Sequence, residues 1–371
     1  MAEHSQAYDV LIVGGGIVGL AHAYRASVEL GLRVCVVERN QQANGASIRN
    51  FGALWPIGLQ PELRPMAIRS KNRLVRMMKD WGLWHREAGS IHLAYHEDER
   101  AVLGEFLGQW PGEWLDPEGV LALSPGVKPE GLLGGMFSAS EVQVDAPTLI
   151  RAFTSELESR AQVDFKFGTT VTRLKQGMAE AGEERIPFKR AIVCSGAETG
   201  ILFPEWHRRQ GTRLCKLQMM ATGPQPKGFH LGPLLVSGLS LRHYSAFESC
   251  AGSAQLRARV LKDWPSLDDH GIHVMVAQDS DGALLIGDSH HYGESIRFFD
   301  LAEVEALILS SLSQFFQAPD LSIKRRWSGT YLKHPDKVWI QETIDEGIDV
   351  AVVTGGIGMT VAFGLAEASL P

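Results

Sequence analysis

The stretch Asp9-Val10-Leu11-Ile12-Val13-Gly14-Gly15-Gly16-Ile17-Val18-Gly19, with Glu38 closing the next apolar run, decides how this chain is read. Asp9–Val13 is a short apolar run of the kind a strand buried on both faces carries. The Gly14-x-Gly16-x-x-Gly19 turn follows at once, a helix is expected from about Val18 to Glu29, and Gly31 stops it. A second strand, Arg33–Glu38, completes a strand–turn–helix–strand unit. Each glycine has its own physical reason: the first permits the tight turn, the second lets the backbone approach a diphosphate, and the third lets helix and strand pack closely. Anionic phosphate then sits against free amides at the positive end of the helix dipole. Glu38 is placed to accept from ribose hydroxyls, and its charge disfavours a 2′-phosphate. A lone glycine fingerprint is a weak signal, whereas strand, helix and acid together point to a dinucleotide.

Working outward, Pro61–Trp84 reads as one long amphipathic helix and Trp84–Tyr95 as a hairpin or strand pair. Asp145 and Pro147 open a helix running to about Arg160, with proline in its first turn. Val163–Leu174 and Arg190–Cys194 read as strands, and Leu301–Phe316 as a helix within a stretch richer in alternating patterns. Strand Asp349–Val353, a glycine turn and a helix from about Met359 close the chain. Pro371 falls just inside that helix, so a short further segment is expected beyond it.

At 371 residues, two domains are expected. The net charge of −7 argues against a nucleic-acid surface, so any anionic ligand needs a local cluster of cations. The four cysteines show no metal-ligand spacing, and no metal is expected. The start, through Tyr8, lacks the charged and apolar regions of a leader, and no run approaches a membrane span. A cytoplasmic location is the resulting expectation.

Four blocks carry a resemblance to the D-amino-acid oxidase superfamily of FAD-dependent oxidoreductases, which includes glycine and sarcosine oxidases. They are the fingerprint with Glu38-Arg39; Gly45-Ala46-Ser47-Ile48-Arg49-Asn50-Phe51-Gly52; Ala191-Ile192-Val193-Cys194-Ser195-Gly196-Ala197; and Gly355-Gly356-Ile357-Gly358-Met359-Thr360. The resemblance implies an α/β fold. A Rossmann-like FAD-binding domain (1–90, 143–210 and 328–371) is interleaved with an α+β substrate domain (91–142 and 211–327) built on a mostly antiparallel sheet. It also implies FAD contacts from Gly14, Gly16, Ile17, Val18, Gly19, Glu38 and Arg39, from Ala46, Ser47 and Arg49 to Gly52, and from Val171, Ser195, Gly196, Ala197, Gly329 and the last block. The final helix would aim its N-terminus at the flavin C2 carbonyl, where amide donors stabilise the reduced ring. A smaller branch associated with phosphonate breakdown shares Ser47–Gly52 with Trp55–Gly58, Lys216–Met219 and Leu241–Tyr244. That implies an aminophosphonate substrate, such as 2-aminoethylphosphonate bearing an N-alkyl or hydroxyl substituent.

Departures from the family pattern are informative. Gly329 stands where sarcosine oxidases carry the cysteine of a covalent link, so FAD is expected to be non-covalent. Tyr331 stands near where amino-acid oxidases place a carboxylate-binding arginine, and Leu285 at the lysine that assists oxygen. Lys216, His290 and His291 are candidates to replace that lysine, and the acceptor is O2 or another molecule. Arg49 is placed at the flavin edge, where a fixed guanidinium can hold an anion; the bland alternative is a loop-supporting ion pair. On a strand Arg242 and Tyr244 would share one face and His243 the other, and Arg242 is the preferred anion ligand. Lys333 beside Tyr331 is a further anion clamp. Of nine tryptophans most are read as packing, with Trp55 singled out as a cage wall for a methylated amine.

The expected reaction is two-electron oxidation of a C–N bond, giving an imine that hydrolyses to an aldehyde. Arg49, Lys216 and His290 are the catalytic candidates. Arg49, Trp55, Arg242, His243, Tyr244, His291, Tyr331 and Lys333 are the substrate candidates. The competing readings are a D-amino-acid, glycine, sarcosine or 2-hydroxy-acid dehydrogenase feeding a quinone or carrier, and a structural FAD-containing subunit of an oxidase complex. Oligomerisation is compatible with all of these.

Overall fold

The computed structural model describes residues 6–371, so the first five residues of the stretch read for a leader lie outside it. Two large sheets organise the chain. In the first, Tyr8–Val13 lies between Val34–Val37 and Glu184–Val193, all parallel, with Val163–Lys166 beyond the second strand. Ile348–Val353 pairs parallel to Glu184–Val193 on the other side, followed by antiparallel Trp339–Asp345. Sequence segments far apart thus build one Rossmann-like sheet, whose central strands Tyr8–Val13, Val34–Val37 and Ile348–Val353 carry runs of buried apolar residues. Helices Ile17–Tyr24, Ala146–Glu158 and Gly358–Ser369 cover one face, and Arg64–Asp80 packs on the last of them.

The second sheet has nine strands, all antiparallel except for the parallel pair Leu234–Val236 and Ser90–Ala94. Its long strands Arg213–Pro224 and Ile323–Lys333 run side by side from Arg213 opposite Lys333 to Thr222 opposite Ile323. The second of them is continuous through 328, so the expected domain boundary there falls inside a strand. A small third sheet joins Ala53–Leu54, Val142–Val144 and His85–Arg86.

Three local expectations are corrected. His85–Arg86 and Ser90–Ala94 do not form a hairpin: they enter different sheets, and Gly89 turns the chain between them at φ 74°. Val163–Leu174 is two short strands, broken at Gly168 with φ 62°. The long basic helix is shorter than read, spanning Arg64–Asp80.

Where the chain returns to the first domain, Glu141 is buried, with the Ser90 hydroxyl donating to its carboxylate at 3.0 Å. Desolvation pushes its pKa up from 4.5 to about 7. Between those values the unfolded chain ionises the group while the folded chain keeps its proton. Stability therefore falls as pH rises through the window, by about 3 kcal/mol in all. Glu141→Gln is expected to remove most of that loss. Urea unfolding should show the variant gaining on wild type from about pH 4.5 to about pH 8, and a pH-independent difference would contradict the assignment.

Candidate functional site

At the carboxyl edge of the parallel strands opens a groove of about 610 Å³. Its floor is the first turn, with Gly14, Gly16, Ile17 and Val18, and its far end is Glu38, Arg39 and Val171. Ala46, Ser47, Arg49 and Asn50 form one wall; Ser195, Gly196 and Ala197 form another. Gly329 and Tyr331 reach in from the second sheet, and Gly356, Gly358 and Met359 close it at the start of the last helix.

The local chemistry suits a dinucleotide diphosphate. Gly14 has φ 109°, and a Cβ there would meet the Cys194 carbonyl at 2.8 Å. A Cβ on Gly16 would lie 2.9 Å from the Ser47 hydroxyl, so a side chain would fill the cradle. Ser47 Oγ accepts from the Ile17 amide at 3.0 Å, bringing the second block onto the N-terminus of the first helix. Glu38 is buried, accepting from the Gly15 amide at 2.8 Å and from the Asn40 backbone and side-chain amides at 2.9 and 3.0 Å. Its carboxylate is thus fixed at the tip of the second strand. Arg39 pairs with Glu198 across the groove mouth.

Several expected cofactor residues stand behind the lining. Gly19 packs the helix on the strand, since a Cβ there would come within 1.9 Å of the Gly14 carbonyl. Gly52 has φ 66° against the Val144 carbonyl, and Phe51 is buried. Thr360 accepts the Trp55 amide at 2.7 Å, tying the last helix to the second block, while Gly355 and Ile357 shape the turn before that helix. The sequence reading missed Asn40, Ala43, Asn44, Leu214, Leu217 and Ile296, which also line the groove. Alternation signals one of them: on Arg213–Pro224, Leu217 faces the cofactor groove while Lys216 turns away.

The substrate candidates separate into three places. Arg49 lines the groove, donating to the Ser328 carbonyl at 3.1 Å and to Asn44 at 3.0 Å, which leaves other guanidinium N–H groups free. Tyr331 lines the same groove, and Lys333 ends its strand opposite Arg213. Lys216, His290 and His291 border a separate cavity of about 360 Å³. There the Lys216 ammonium is held by Asp300 at 2.6 Å and by the carbonyls of Arg297 and Phe299, so it is engaged rather than free for oxygen. His291 meets His270 at 2.8 Å.

Arg242, His243 and Tyr244 lie on no strand: 3₁₀ turns at Gly238–Arg242 and Ser245–Phe247 place them, which removes the expected alternation. The Arg242 guanidinium pairs with Asp268 and donates to the Leu267 and Ile272 carbonyls, which places it at this turn and outside the groove lining. Trp55 is buried against His92 and Tyr244 rather than bordering the groove. His243 gathers with His273 and His290 beside Asp288, a group that no sequence spacing announced.

The chain matches the family model described as FAD dependent oxidoreductase over residues 9–369. It is 26% identical over 214 residues to a glycine oxidase of Bacillus licheniformis, an alignment covering 53% of this chain and 56% of that protein. The chain thus spans little more than half of that curated relative. The glycine oxidase structure from Geobacillus kaustophilus superposes with a TM-score of 0.79 at 20% identity, covering 99% and 95% of the two chains. The FAD-bound L-alpha-glycerophosphate oxidase of Mycoplasma pneumoniae superposes at 0.74 and 17% identity, covering 99% and 94%. Among the described residues no helix is long and apolar enough to cross a membrane.

If the buried Glu38 carboxylate fixes the adenosine end, Glu38→Ala should weaken FAD binding about 10–100-fold, the loss of a charged hydrogen bond. Titrating apoprotein while following flavin fluorescence reads this directly; an unchanged affinity would remove Glu38 from the site.

Proposed function

This chain belongs to the FAD-dependent oxidoreductase family, and on that premise we propose that it oxidises the C–N bond of a small amine, an aminophosphonate such as an N-alkylated or hydroxylated 2-aminoethylphosphonate. The observation that carries the amine reading is the family match over nearly the whole chain, together with a glycine oxidase among its relatives. FAD, when bound, supplies the two-electron acceptor. The groove fits it through the N-terminus of the helix that follows the Gly14-x-Gly16 turn, the fixed Glu38 carboxylate and the N-terminus of Gly358–Ser369, whose dipole favours negative charge on a reduced ring. Gly329 offers no thiol to the groove, which supports a non-covalent complex.

The aminophosphonate reading rests on what surrounds the substrate edge. Tyr331 occupies the wall where a carboxylate-binding arginine is expected in amino-acid oxidases, so a single-arginine clamp is not built there. Arg49 stands on the same groove with N–H groups to spare, and Lys333 lies two residues beyond Tyr331 on its strand. A phosphonate has three acceptor oxygens and suits donors from several directions. The phenol is half-buried on the groove wall, and desolvation drives its pKa well above the ordinary value, so Tyr331 stays a hydrogen-bond donor at all working pH. The apolar surroundings favour a neutral amine, which needs no dedicated base. After oxidation the imine is hydrolysed by water to an aldehyde and an amine or ammonia, with O2 or another acceptor completing turnover.

Turnover with N-methyl-2-aminoethylphosphonate, sarcosine, glycine and D-alanine, using both oxygen and a dye as acceptor, tests the substrate class. The phosphonate should exceed each carboxylate in kcat/KM by at least about tenfold, the worth of one charge-assisted hydrogen bond. Arg49→Lys should raise KM for it. A preference for any of the carboxylates would overturn the phosphonate reading while leaving amine oxidation intact.

A further inference from the structure

Behind Tyr331, three imidazoles and one carboxylate from three separate segments meet in the protein interior. His243 follows the 3₁₀ turn Gly238–Arg242; His273 precedes the strand Met275–Gln278; Asp288 and His290 follow the strand Ala283–Gly287. His273, His290 and Asp288 are buried, and one ring nitrogen from each of the three histidines lies within 4.8 Å of the other two. The Asp288 carboxylate oxygen is 3.0 Å from His273 Nε2 and 3.7 Å from His290 Nδ1.

These contacts are close, yet they are not hydrogen bonds. His273 Nε2 and Asp288 Oδ1 face each other with no hydrogen-bond partner among the described residues. A buried imidazole nitrogen and a buried carboxylate oxygen left unpaired each carry a desolvation penalty. Meanwhile the opposite ring nitrogens are occupied. His273 Nδ1 meets the Ser240 hydroxyl at 3.0 Å, and His290 Nδ1 meets the Gly271 carbonyl at 3.3 Å. Outer hydrogen bonds of this kind fix the tautomer and direct the remaining lone pair to the centre, as they do around ligated metals.

We propose that His243, His273 and His290 form a binding site for one divalent first-row metal ion of the zinc type. Three imidazole nitrogens are a sufficient protein ligand set for such an ion, with the fourth position open to water. Burial keeps all three imidazoles in the neutral form that ligation requires, pushing His290 down to about 3 and the other two well below the usual range. The place of the ion is structural: it ties the three segments that back the wall carrying Tyr331, whose ring lies 6.4 Å from that of His290.

The test uses tag-free, FAD-loaded protein stripped with a chelator and titrated with Co2+, whose tetrahedral complexes absorb to the red of oxidised flavin, and with Zn2+ in competition. About one equivalent of Co2+ per chain should bind with that absorption and be displaced by Zn2+. His273→Ala should abolish the band, and the milder Ser240→Ala should weaken affinity about tenfold, both with FAD content unchanged. Wild-type protein that develops no band and retains no metal would overturn the site without recourse to any variant. Uptake unchanged in a folded, FAD-loaded His273→Ala protein would overturn it equally.

Discussion

Everything in this molecule depends on how closely the first helix approaches the first strand. With hydrogen in place of a side chain at Gly19, the helix lies against the Gly14 carbonyl, where a Cβ would come within 1.9 Å. That contact sets the helix N-terminus at the carboxyl edge of the sheet, beside the tip of the strand carrying Glu38. The loop holding Ser47 is then drawn onto the same N-terminus through the Ile17 amide. A groove follows because two chain segments converge on one set of amides, and those amides have no helical partners of their own.

The second sheet gives the groove its other wall. Pairing of Arg213–Pro224 with Ile323–Lys333 sets Leu217 opposite Gly329, and both reach the groove lined by Arg49. The Trp327 indole donates to the Arg49 carbonyl at 3.3 Å, pinning the sheet to the loop. The floor thus comes from the parallel sheet and the substrate wall from the antiparallel one. The His243, His273 and His290 group lies beside that wall, with the His290 ring 6.4 Å from that of Tyr331.

The cofactor half of this arrangement was legible in the sequence because its determinants are local. The glycine turns before Ile17 and Met359 act within a few residues, and Glu38 and Ser47 lock onto the first of them by accepting from the Gly15 and Ile17 amides. The substrate half was less legible because its determinants are long-range. Lys216 was singled out for its charge, yet strand alternation turns it to Asp300 and leaves Leu217 in the groove. Arg242 was singled out on the assumption of a strand, and the chain instead forms 3₁₀ turns that aim its guanidinium at Asp268. His273 attracted no notice, since only the fold brings it beside His290.

The central claim is that this protein removes two electrons from a carbon bonded to nitrogen. The most direct measurement mixes the FAD-loaded protein, without oxygen, with N-methyl-2-aminoethylphosphonate or with 2-hydroxyethylphosphonate, which presents the same acid but oxygen in place of nitrogen. The amine is expected to bleach the oxidised flavin absorbance, and the hydroxyl compound to leave it unchanged. Bleaching by the hydroxyl compound as fast as by the amine, or by neither it nor any simple amine, would contradict the account.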